Sequence, residues 1–158
     1  MATDSMDAVG LAIRDRLLTF VSLSHGTLAS QLGTMSGAGS TGKLFLEEAP
    51  ENVTYPYGVM KLGGFTHLPR EDGKFGFTSL VEVLLYHYPR ENVDALRKMG
   101  DTVEEAWRHW VDASIIVSMR VEERATIKFE PPADREMVLE RLLLSYYTYP
   151  SFLTQYSA

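Results

Sequence analysis

Four histidines, His25, His67, His87 and His109, are the side chains here whose ordinary chemistry includes proton transfer near neutral pH or metal ligation. No two of them stand in a paired ligand spacing such as His-x-x-x-His. His25 opens a loop and His67 lies in a long hairpin. His87 reads as a strand residue and His109 as a helix-surface one. Glu47/Glu48 and Glu122/Glu123 are acidic pairs, but neighbours on a strand point to opposite faces, so neither pair suits a shared-proton dyad. No serine occupies a Gly-x-Ser-x-Gly elbow, and cysteine is absent, which removes the thiolate nucleophile, disulfides and cysteine-ligated zinc. The residues therefore predict no catalysis, no metal and no cofactor.

One stretch almost spells a phosphate-binding loop: Gly37-Ala-Gly-Ser-Thr-Gly42-Lys43-Leu44. That motif needs Ser or Thr after the lysine to hold magnesium, with a strand before and a helix after. Here Leu44 follows the lysine, a loop precedes, and a strand pattern comes next. The stretch is not expected to bind nucleotide.

The elements that would position any site are legible from periodicity. Apolar residues make up 45% of the chain and charged residues 23%, ordinary globular proportions, so a packed core is expected. A formal charge of -6 argues against a protein that grips nucleic acid through a basic face. No apolar run approaches the roughly 20 residues that span a bilayer. Met1 to Asp7 carries acids and no basic n-region, which predicts no secretory signal.

The core of the pattern is the stretch from Phe75 to Trp110. It predicts one long strand to Tyr88, a corner at Pro89, and an amphipathic helix carrying Val93, Leu96, Val103, Trp107 and Trp110. Along the strand, Phe77, Val81, Val83 and Leu85 share the cleaner apolar face. Leu80, Glu82, Leu84, Tyr86 and Tyr88 share a mixed one, suited to another protein surface or to burial under the N-terminal helix. That helix is expected from Ser5 to Leu23. A Gly/Ser-rich loop follows from Ser24 to Thr41, flexible or a binding arm, with one short turn at Leu28–Leu32. Strands are expected at Lys43–Glu48 and Tyr55–Leu62, joined to the long strand by a hairpin connection, Gly63 to Phe75, with Arg70–Lys74 as its polar tip. Ser114–Val121 reads as a strand, Glu122 and Glu123 as a bend or wide turn, and Ala125–Phe129 as a further alternating run. Pro131 to Asp134 is a loop. Met137–Tyr149 is ambiguous, and its tyrosines and threonine favour strand over helix. From Pro150 onward the chain reads as a tail. The fold class expected is α+β: one domain over 1–158, with a mainly antiparallel sheet of about five or six strands flanked by an N-terminal and a central helix.

The order of these segments, above all Ala49-Pro50 followed by Tyr55-Pro56-Tyr57-Gly58-Val59, resembles the tail-terminator or tail-completion proteins of long-tailed bacteriophages. The resemblance covers roughly Met6 to Val111. The Gly/Ser-rich loop and the Tyr-rich C-terminus depart from the pattern. The resemblance implies a structural virion protein in the tail or neck, assembled in the host cytoplasm. It implies a homo-oligomeric ring, usually a hexamer, that caps the tail tube protein, ends tube polymerisation and meets the head–tail connector, with DNA crossing the bore unbound. It implies no reaction and no membrane. A closing ring needs two different patches per subunit. Leu80, Leu84, Tyr86 and Tyr88 are candidates for one, and Tyr146 and Tyr147 for the other. The loop carrying His67, Arg70, Glu71, Asp72 and Lys74 is the candidate to face the tube or bore. Two other readings stay open: another neck or adaptor protein, or a small-molecule-binding α+β domain or hydrolase with His67, His87 and nearby acids as pocket groups.

Overall fold

The computed structural model describes residues 5–33, 42–63, 66–69, 75–88, 90–110, 118–128 and 137–148. The tip residues Arg70, Glu71, Asp72 and Lys74, most of the glycine-rich stretch and the C-terminal tail lie outside them.

Helix α1 (Ser5–Thr19) buries Ile13, Leu17 and Leu18 completely. Its Arg14 guanidinium donates to the carbonyls of Leu44 and Gly42, which ties the helix to the strand layer. The helix expected to reach Leu23 stops at Thr19. The chain turns instead into a two-stranded hairpin, β1 (Val21–Ser22) and β2 (Gly26–Thr27). The cause is a clamp more than eighty residues away in sequence: the Glu105 carboxylate accepts from the Ser22 hydroxyl at 2.8 Å and from the Leu23 amide at 3.1 Å. No local pattern announces it. Helix α2 (Leu28–Leu32) follows, with Thr27 Oγ1 accepting from the Ser30 amide as N-cap. The expected short turn is thus a short helix, and the loop expected to begin at Ser24 holds β2 and α2.

The main sheet is six-stranded and mostly antiparallel. It contains β3 (Leu44–Leu46), β4 (Tyr57–Leu62), β5 (Thr66–Pro69), β6 (Phe75–His87), β7 (Ser118–Lys128) and β8 (Val138–Thr148). The order is β3-β4-β6-β8-β7, with β5 also paired to β6 and β3 parallel to β4. The ambiguous C-terminal segment is therefore a central strand. Residues opposite each other in the ladder share a face. Met60, Val83 and Leu142 stand in one such row, and Leu62, Val81 and Leu144 in the next. These point inward, with Leu85 and Tyr146, onto a core shared with α1, α2 and helix α3 (Val93–Arg108).

Helix α3 buries Leu96, Met99, Val103, Ala106 and Trp107. The Trp107 indole lies inside the core and donates to the carbonyls of Arg120 and Ser145, at 3.1 and 3.2 Å. One side chain thus pins the helix to both β7 and β8. The bend expected at Glu122 and Glu123 is a β-bulge within a single strand: Val121 pairs with Leu144 and Glu123 with Leu143, leaving Glu122 as the extra residue. The bulge changes the parity of the strand. Val121 and Arg124, three apart, both face inward. The chain is an α+β protein with its helices on one side of the sheet.

Candidate functional site

The three described helices pack on the inner side of the sheet and leave its outer side uncovered by helix, although Val59, Leu84 and Leu139 at its middle are nearly buried. The register places Tyr57, Val59 and Lys61 of β4 there, beside Tyr86, Leu84 and Glu82 of β6 and Leu139, Arg141 and Leu143 of β8. This corrects one alternative reading of the mixed face: the N-terminal helix packs on the opposite side.

Four tyrosines crowd one end of this face. Tyr57 and Tyr86 stack at 4.9 Å between centroids, and Tyr55 lies 5.4 Å from Tyr57 and 5.8 Å from Tyr88. The Tyr55 hydroxyl donates to the Met137 sulfur. Burial, then the nearby Tyr55 and Tyr86 hydroxyls, pushes the Tyr57 phenol above its ordinary pKa. Burial, with Glu82 and Tyr55, does the same to Tyr86. Phenols of this kind combine apolar area with a polar hydroxyl, a pairing common at protein interfaces. In the middle of the face, Arg141 Nε donates to Glu82 at 2.7 Å, and Glu123 lies 3.5 Å from its Nη1. Leu80 is 46% exposed further along.

Among the sequence-predicted patch residues, Leu80, Leu84, Tyr86, Tyr88 and Tyr147 fall on or beside this face, although Leu84 is nearly covered by its neighbours. Tyr146 does not. It pairs with Ser79 on the inner parity, is 2% exposed, and meets Trp107 edge-on at 6.2 Å. A core tyrosine has no surface to offer a neighbouring subunit, so its place in the interface set is corrected. Burial pushes its phenol up to about 12, against the lowering effect of the Ser79 hydroxyl. The neutral form is the one the fold favours. Its contribution is complete below the unfolded tyrosine value near pH 10 and is lost as pH rises toward 12. Urea unfolding should therefore show stability falling by about 2–3 kcal/mol across that window from this group. In Tyr146→Phe that part of the fall should vanish.

The histidines divide differently from the expectation. His67 lies on β5 opposite Phe77, while His87 ends β6. A groove of about 440 Å³ brings His87 together with His25, Lys98 and Pro56. In it His87 Nδ1 accepts from the Tyr88 amide at 2.8 Å. Burial, with a smaller effect of Lys43, lowers its pKa. His25 Nε2 lies 3.6 Å from Asp101. No three His, Asp or Glu side chains among the described residues gather around a cation position. His109 caps the exposed end of α3.

Lys43, the lysine of the near-motif, is buried, and its ammonium donates to the Thr54 carbonyl and hydroxyl at 2.9 and 3.0 Å. It anchors the loop before β4 instead of awaiting a phosphate. Three of the paired acids, Glu47, Glu122 and Glu123, are also engaged structurally. Glu47 accepts from the Leu62 amide, Glu122 from the Ser145 hydroxyl, and Glu123 faces Arg141. No helix among the described residues is long and apolar enough to cross a membrane.

The sequence matches no protein-family model and no curated protein. The fold, however, is shared. A chain from a structure described as the virion of a native gene transfer agent particle superposes with a TM-score of 0.58 at 11% identity, over 86% of this chain and 90% of that one.

Proposed function

We propose that this chain is a structural virion protein of a phage-like particle, a tail terminator that closes with its own copies into a ring, with six the expected number. The ring sits on the head-proximal end of the tail tube, stops tube growth and joins the tail to the head connector. The chain works by contact, without a reaction.

The observation that carries this reading is the tyrosine cluster on the outer sheet face, which no described helix covers. A folded subunit that leaves stacked, half-buried phenols and Leu80 outside has surface suited to an interface. The order of the Ala-Pro and Tyr-Pro-Tyr segments supports the tail-terminator role, and the fold shared with a virion chain supports a place in a particle. The acidic net charge suits a bore that DNA must cross without sticking.

Light scattering on the purified chain, with electron micrographs, tests the proposal. A mass several times that of the 17.7 kDa subunit and a ring outline are expected. A monomer at every concentration, with no affinity for tail tubes, would end it. Tyr86→Ala should weaken association by about tenfold or more while shifting the melting temperature little, because the ring is a half-exposed face residue.

A further inference from the structure

Leu23 is 96% exposed at the turn of the β1–β2 hairpin. Yet it is held in place, because the Glu105 carboxylate accepts from its amide and from the neighbouring Ser22 hydroxyl. The Ser22 oxygen in turn accepts from the amides of Ser24 and His25, which closes the turn. Val21, two residues away, is also largely exposed, as is Leu11 of α1. Leu23 and Val21 give this hairpin an exposed apolar knob on the helix side of the molecule, at a turn whose backbone a carboxylate holds.

The outer sheet face carries a matching concavity. Around Leu80 lies a cavity of about 380 Å³ rimmed by Arg120, Glu122, Ser145 and Tyr147. Glu122 is already engaged by Ser145. The exposed Arg120 guanidinium makes no hydrogen bond or ion pair with any described residue. An apolar centre with a polar rim is the anatomy of an interface socket. The charges are complementary as well: a free guanidinium at the socket and the Glu105 carboxylate under the knob.

We propose that Leu23 of one copy seats in the Leu80 socket of the next, with Arg120 facing the Glu105 carboxylate across the junction. Knob and socket lie on opposite sides of the sheet, so one copy cannot satisfy itself. The contact is heterologous and propagates from subunit to subunit until rotation closes it. This rests on the ring reading above and names the surfaces that would build it. Binding energy at such junctions concentrates on a few central side chains. Leu23 is the expected one here, with Val21 beside it on the same hairpin.

The chain has no cysteine, which makes the test direct. Leu23→Cys and Leu80→Cys proteins are purified separately, mixed, and treated with a short bismaleimide. Cross-linked dimers from the mixture, and little from either protein alone, are expected. Leu23→Asp should raise the concentration for half-association at least about tenfold, leaving the melting temperature unchanged because the side chain packs against nothing. Arg120→Glu should weaken association in the same direction. Rings that form with wild-type affinity in Leu23→Asp and give no mixed cross-link overturn the junction while leaving the ring reading intact. A wild-type chain that never self-associates overturns both.

Discussion

Replacing Arg124 by methionine is expected to cost the isolated chain about 3–5 kcal/mol, the scale for stranding one partner of a buried ion pair. The stranded partner is Glu140, 2% exposed on the inner face of the central strand β8. Its Oε1 accepts from Arg124 Nε at 2.9 Å and its Oε2 from the Thr126 hydroxyl at 2.8 Å. The guanidinium also reaches α3, donating to Asp101 at 2.7 Å, to Glu104 at 3.2 Å and to the Arg97 carbonyl at 2.8 Å. Burial disfavours its charge, but the hydrogen bonds and charges of Glu140 and Asp101 more than offset this, and its pKa stands above the ordinary arginine value. One arginine thus stitches β7, β8 and α3 together. Gly100 makes room for it: a Cβ there would lie 2.8 Å from Arg124 Nη2. The helix accepts a glycine in its interior, at about 1 kcal/mol relative to alanine, to admit that approach. Urea unfolding of Arg124→Met checks the loss. The double variant Arg124→Met with Glu140→Met should recover most of it, since apolar residues of similar size replace buried ion pairs well. A single variant as stable as wild type would mean that Glu140 reaches water.

This cluster shows where the sequence stops being legible. The long strand β6 and helix α3 were readable because each repeats one period without interruption. β8 was readable as a strand but not as to side. Val138, Glu140, Leu142, Leu144 and Tyr146 alternate with Leu139, Arg141, Leu143, Ser145 and Tyr147, and each set carries one charge and one tyrosine. Only the partner strands decide which set is buried, and they bury the set holding Glu140. The decision depends on Arg124 facing inward, which depends in turn on the bulge at Glu122. Two adjacent glutamates look like a turn from the sequence; the ladder continues through them by leaving one residue out. The same limit hid the knob. Val21 and Leu23 looked like the last turn of α1, and the clamp that pulls them into a hairpin comes from Glu105 on another helix. The tyrosine face was better served, because Tyr86 and Tyr88 inherit their side from β6, whose parity was plain.

Val83→Asp should abolish the folded chain altogether. Val83 is fully buried at the centre of β6, opposite Met60 on β4 and Leu142 on β8, within the cluster that α1 and α3 cover. The described cation in its inner-face row, Arg124, stands two strands away beyond Leu142 and is already engaged by Glu140, Asp101 and Glu104, and an unpaired buried charge or an unsatisfied protonated acid costs several kcal/mol. A domain of this size has only about 5–15 kcal/mol of stability to lose, and the valine's own packing goes as well. The neighbouring position supplies the control. Glu82 is already an acid, one residue away, but it faces the other side, where Arg141 meets it at 2.7 Å. Acid is tolerated on one parity of the strand and excluded on the other. Expression in the insoluble fraction, or a soluble chain without near-ultraviolet circular dichroism, is expected of Val83→Asp, whereas Tyr86→Ala should keep the native spectrum and lose association. A soluble, native-like Val83→Asp protein would mean that the sheet is inside out, and the outer face proposed for assembly would then be the core.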